Sequence, residues 1–127
     1  MSATSVQPAK PVVLCVEDDE SEQRLLKTIL EANGFDVVQA RTATTGLQLF
    51  HQHPVALVVI DQRLGRKQMT GAELARKIKA VNRNIPVVLR SGYPPPSMGN
   101  WDVFVDKGET VEVFLAMIHD LIRRYTA

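Results

Sequence analysis

Val55-Ala56-Leu57-Val58-Val59-Ile60-Asp61 is a continuous apolar run, rich in β-branched side chains and closed by an acid. Such a run fits a strand buried on both faces, the kind parallel sheets use. A second run of the same kind, Val12-Val13-Leu14-Cys15-Val16, opens after Pro11 and ends in Glu17-Asp18-Asp19. Between the two lie a helical stripe over 19–33 (Leu25, Leu26, Ile29, Leu30) with an Asn33-Gly34 stop, and a short strand over Phe35–Val38. Next comes a helix capped by Thr42 that carries Ala43, Leu47 and Phe50 and ends at Pro54. Beyond Asp61, a polar, basic loop leads through Thr70-Gly71 to a helix with Leu74, Ile78 and Val81. Strands at Ile85–Leu89 and Val103–Val105 follow, and Thr110 caps a last helix that runs to about Tyr125. Apolar strands alternating with amphipathic helices predict an α/β domain, a doubly wound, five-stranded parallel sheet covered on both faces. The domain spans 11–127, preceded by a polar, mobile tail over 1–10.

The chain has 127 residues, 15 basic and 14 acidic side chains, and one cysteine. That length suits one domain and needs no disulfide or metal staple. Hydrophobic residues at 45% and charged residues at 23% exclude wholesale disorder. A net charge of +1 provides no electrostatic footprint for nucleic acid or anionic lipid. No apolar run approaches a membrane span, and the N-terminus lacks the apolar core of a signal peptide. The expectation is a cytoplasmic protein that binds neither nucleic acid nor membrane.

In an open parallel sheet, sites form beyond the carboxyl ends of the strands. The first strand ends in Glu17-Asp18-Asp19, the third in Asp61, the fourth is followed by Ser91 and the fifth by Lys107. Carboxylates brought together repel by roughly 4 kcal/mol per pair at 4 Å and an effective dielectric near 20. They must either hold protons or hold a cation, and a hard divalent ion such as Mg²⁺ suits such donors. A lysine and a hydroxyl on neighbouring strand ends could stabilise a phosphoryl group transferred to an aspartate. Asp19 also suits the dipole at the start of the next helix. Cys15 reads as a buried small hydrophobe. His51 and His53 stand two apart at a helix end and do not face each other as metal ligands.

Glu17-Asp18, Asp61, Ser91 and Lys107, in this order on this strand pattern, resemble the receiver domain of two-component response regulators of the single-domain type. The resemblance covers about 11–125 and implies a flavodoxin-like, receiver-like fold. It implies that Asp61 accepts a phosphoryl group, that Asp18 with Glu17 and Asp61 holds Mg²⁺, and that Arg63 offers its backbone carbonyl to the metal. Ser91 and Lys107 would then bind the phosphoryl oxygens, and Phe104 would hold the aromatic switch position. The implied partners are a sensor histidine kinase or histidine phosphotransfer protein and a downstream protein target. The chain would be no enzyme beyond its own phosphotransfer and dephosphorylation.

Three departures from the family pattern stand out. The loop over 62–70 lacks the usual proline and acid and carries Arg63, Arg66 and Lys67. The stretch over 92–102 has three consecutive prolines and is short for a crossover, so the fourth helix is expected to be short or absent. Gly108 replaces the usual proline after the lysine, and is expected to turn the chain while holding Lys107 less rigidly. These departures keep open an alternative, a phosphorylation-independent interaction module of the same fold. The last helix is apolar on more than one side, from Val111 to Ile122, which makes homodimerisation through it an expectation. A dehalogenase-type phosphatase would need an acid at position 63, and nucleotide or flavin binding would need a glycine-rich or hydroxyl-rich first loop. Neither is present.

Overall fold

The computed structural model describes residues 9–65, 69–93 and 99–126. The expectations for most of the N-terminal tail, for Arg66 and Lys67, and for the three prolines fall outside the described residues.

The elements run β1 (Val12–Val16), α1 (Glu20–Ala32), β2 (Asp36–Ala40), α2 (Ala43–Gln52), β3 (Val55–Asp61), α3 (Gly71–Val81), β4 (Val87–Ser91), β5 (Val103–Asp106) and α4 (Val111–Thr126). All strand pairs are parallel, in the order β2-β1-β3-β4-β5. The chain leaves β1 toward one side and returns to β3 on the other, so the order reverses between these two strands. Their carboxyl ends therefore open a crevice, with Glu17 and Asp18 on one lip and Asp61 on the other.

Side chains alternate across the sheet and divide the core in two. Leu14, Val16, Val58, Ile60, Val87 and Leu89 pack with α2 and α3. Val13, Cys15, Leu57, Val59, Val88 and Val105 pack with Leu26, Phe114 and Ile118 from α1 and α4. Burial pushes the Cys15 thiol up to about 12, which suits a core hydrophobe and not a nucleophile. Caps define the helix starts: Asp19, Thr42, Thr70 and Thr110 each accept a backbone N–H from the residue three further on. Gly34 takes φ +94° just beyond α1, and the Phe35 N–H reaches back 3.1 Å to the Leu30 carbonyl.

Several boundaries differ from expectation. β2 begins at Asp36 because Phe35 is drawn into the core. β4 runs from Val87 to Ser91, later than expected. Pro86 has no N–H to add to the ladder, and Arg90, though charged, is a buried strand residue. Leu25 and Val81 were expected on buried stripes, yet both are exposed. Gln23 of α1 is buried although polar, donating to the carbonyls of Glu17 and Ala40 at 2.7 and 2.9 Å.

Among the described residues, none between β4 and β5 is helical, and Trp101 and Phe104 pack partly buried against the α2/α3 layer. The returning chain is fastened by Asp102. Its N–H donates to the Val87 carbonyl at 2.8 Å and its carboxylate accepts the Val87 N–H at 2.7 Å. Lys79 of α3 pairs with the same carboxylate at 2.9 Å, and the Tyr125 hydroxyl of α4 donates to it. No helix among the described residues is long and apolar enough to cross a membrane.

Candidate functional site

Each site side chain stands where an apolar strand stops. Glu17 follows β1 and is only 1% exposed; Asp61 ends β3 at 6% and Ser91 ends β4 at 2%, while Asp18 is exposed to solvent. Glu17, Asp18 and Asp61 each bring a carboxylate oxygen within 4.8 Å of the others. Lys107, one residue beyond β5, extends its ammonium between two of them, 3.1 Å from Glu17 Oε1 and 3.3 Å from Asp61 Oδ2. Its backbone is placed by the Lys107 N–H, which donates to the Ser91 carbonyl at 3.0 Å. The expected residues thus converge, although Glu17 and Lys107 lie 90 positions apart.

Asp61 is held from behind. The Gly71 N–H donates to the Gln62 carbonyl at 3.0 Å, and a Cβ on Gly71 would stand 2.4 Å from the Asp61 carbonyl oxygen. Only glycine permits this approach of α3 to the end of β3. The Arg63 N–H donates to Asp61 Oδ1 at 3.3 Å, and the Arg63 guanidinium turns outward over the Tyr93 ring, 4.2 Å from its centroid.

Burial, and then the adjacent Asp61 carboxyl, push Glu17 up from 4.5 to about 7, against the opposing effects of the Asp19 N–H and Lys107. Burial works against the charge on Lys107 as well. Its hydrogen bond to Glu17 and the attraction of both carboxylates outweigh that and hold it above its ordinary value. The acids therefore press for a cation, and the lysine supplies one positive charge to them. Hard oxygen donors, partly buried and open on one side, are a donor set that fits Mg²⁺.

The cleft encloses about 710 Å³. Its lining includes the acids, Ser91 and Lys107 together with Leu64, Met69, Thr70 and Tyr93. The Ser91 hydroxyl accepts the Tyr93 N–H at 3.2 Å. Asp19 caps α1, as its position suggested, and its carboxyl is lowered by its hydrogen bonds to Ser21 and Glu22. His51 and His53 are exposed at the end of α2, away from the acidic cluster. Gly108 does not use a left-handed conformation: its φ is not positive, and its N–H is fixed to Asp106 Oδ1 at 2.7 Å. Sequence reasoning missed Arg90, Gln23 and Leu64, all buried around the site. For Arg90 a charged residue directly after an apolar run was the only signal, whereas Gln23 stands among polar neighbours and had none.

The response regulator receiver domain family matches residues 13–99. The polar-differentiation response regulator DivK of Brucella ovis is 25% identical over 114 residues, covering 84% of this chain and 91% of that protein. An NtrX-like response regulator of Rickettsia bellii is 31% identical over 81 residues, which is 64% of this chain but only 17% of that relative's length. Among solved structures, a CheY-like receiver domain from Methanospirillum hungatei superposes with a TM-score of 0.84 at 25% identity, covering 93% of this chain and 98% of that one. A signal receiver domain of an HD domain-containing protein from Pseudomonas fluorescens gives 0.85 at 21%, covering 98% and 96%, which supports the fold.

Proposed function

Because this chain belongs to the response regulator receiver domain family, we propose that it is a phosphoacceptor in a two-component relay, with Asp61 as the residue modified. The observation that carries this reading is the convergence of Lys107 on Glu17 and Asp61, with Ser91 at the neighbouring strand end. A sensor histidine kinase or histidine phosphotransfer protein is the donor. An Asp61 carboxylate oxygen forms a bond to phosphorus as the phosphorus–nitrogen bond of the donor breaks, and the departing imidazole keeps the electron pair and takes up a proton.

Glu17, Asp18, Asp61 and the Arg63 carbonyl would hold Mg²⁺. Bound there, Mg²⁺ supplies charge neutralisation for the phosphoryl oxygens. Lys107 provides a fixed positive charge at the same place, and the Ser91 hydroxyl a hydrogen bond. The added charge of about −1.5 to −2 then draws Ser91 and Lys107 toward residue 61, and Phe104 follows on β5. The output is a protein-binding surface that engages a downstream partner in the cytoplasm. The exposed Val111 and Val113 of α4 are a candidate contact for a second copy.

Intact mass after incubation with Mg²⁺ and a small acyl phosphate tests the reading. One phosphoryl increment is expected in the parent and in Asp19→Asn, and none in Asp61→Asn. No increment in the parent would overturn it and leave the phosphorylation-independent interaction module.

A further inference from the structure

We propose that Arg90 is a positioning residue for the Ser91 hydroxyl, anchored by Glu22 of α1; the inference rests on the reading of Asp61 as phosphoacceptor. Arg90 lies opposite Asp61 in the β3–β4 register and immediately before Ser91. It is 7% exposed, the one charged residue in a strand that is otherwise Val87, Val88, Leu89 and Ser91. Its guanidinium passes to the α1/α4 face, where it meets Glu22 Oε2 at 2.9 Å and lies 5.9 Å from the Phe114 ring centroid.

Stability does not account for this pair. Taking a guanidinium out of water is costly, and an apolar side chain of similar volume at such a position is often neutral or better. Geometry offers another role. The end of β4 is loosely tied toward β3, since the Gln62 N–H reaches the Arg90 carbonyl only at 3.4 Å. Successive strand residues point to opposite faces, so any rotation that moves Ser91 toward Asp61 must swing Arg90 on the other face. Glu22 and Phe114 limit that swing. The pair therefore sets the resting direction of the Ser91 hydroxyl from the far side of the sheet.

The test is a double-mutant cycle on the initial rate of phosphorylation by a small acyl phosphate with Mg²⁺, followed by intact mass. Arg90→Met and Glu22→Gln are each made in the parent and in Ser91→Ala. If Arg90→Met does not fold, the Glu22→Gln cycle decides, because Glu22 lies on the helix surface. In the parent background each change should slow the reaction by about fivefold. In Ser91→Ala neither should slow it further, and Mg²⁺ affinity should stay unchanged throughout. Equal losses in both backgrounds, or no loss in the parent background, would overturn the positioning role. A parent that takes up no phosphoryl group would instead remove the reading on which it rests.

Discussion

The Lys107 ammonium lies 3.1 Å from a Glu17 carboxylate that is almost entirely removed from solvent. Neither partner is comfortable alone: burial lifts the carboxyl to about 7 and works against the charge on the lysine. Asp61, 3.3 Å from the same ammonium, completes a triad whose charge balance controls both the stability and the chemistry of the strand ends.

The first consequence is a pH dependence. Glu17 titrates near 7 when folded and near 4.5 when unfolded, so between those values the native state binds the extra proton. Its contribution to stability is complete below 4.5 and is lost as pH rises through 7. Asp19 and Asp102, whose carboxyls are lowered, act in the opposite sense but in a more acidic range. In metal-free buffer the urea midpoint should fall between about pH 5 and about pH 8, and the fall should be smaller in Glu17→Gln. A midpoint that rises across this interval would contradict the assignment.

Removing the lysine leaves two carboxylates facing each other. Lys107→Met should lower stability in chelator by about 1–3 kcal/mol at neutral pH. Added Mg²⁺ should restore more stability to this variant than to the parent, since the ion then supplies the missing positive charge. Denaturant titrations with and without Mg²⁺ measure both effects.

Gly71 is required by contact. A methyl group there would meet the Asp61 carbonyl oxygen at 2.4 Å and the Gln62 Cα at 2.9 Å, both backbone atoms. Gly71→Ala should therefore cost about 1–3 kcal/mol and displace Asp61 or the start of α3. Its phosphorylation rate should drop with its urea midpoint. Gly92→Ala, where a Cβ meets nothing within 4 Å, should leave the midpoint near that of the parent.

Asp102 ties β5 to β4, α3 and α4 at the end of the sheet away from the site. Asp102→Ala removes the acceptor of the Val87 N–H and leaves the Lys79 ammonium without its carboxylate, at a cost of about 1–3 kcal/mol. Amide exchange should quicken at Val87 and along β5 well before it changes in β1. Arg123→Ala, which breaks an exposed ion pair on α4, should leave stability unchanged.

Much of this molecule could be read locally. The apolar runs at Val12–Val16 and Val55–Ile60 declared buried parallel strands, because hydrophobicity and β-branching belong to consecutive residues. The caps at Asp19, Thr42 and Thr110 were legible for the same reason: the groups they satisfy lie within one helical turn. The acids at the strand ends were legible through topology, since a doubly wound sheet gathers the ends of β1 and β3.

Other features had no local signature. Leu25 and Leu26 are identical in type, yet only Leu26 meets the core, because the angle of α1 on the sheet selects one side of the stripe. Arg90 broke an apolar run in the sequence and so appeared to end β4 early, whereas Glu22, 68 positions away, makes its burial tolerable. Gly108 was expected to turn the chain and does so, but nothing along the chain announced that Asp106 would fix that turn in an ordinary backbone conformation.

The sequence by itself determined which segments are buried and which residue types stand at the strand ends, since those follow from neighbours along the chain. Only the tertiary structure decided that Lys107 reaches Glu17 and Asp61, that α3 must begin with glycine behind Asp61, and that Glu22 lies under Arg90. Those relations depend on distances across the sheet, and electrostatic and steric energies are set by such distances between atoms, not by separation along the chain.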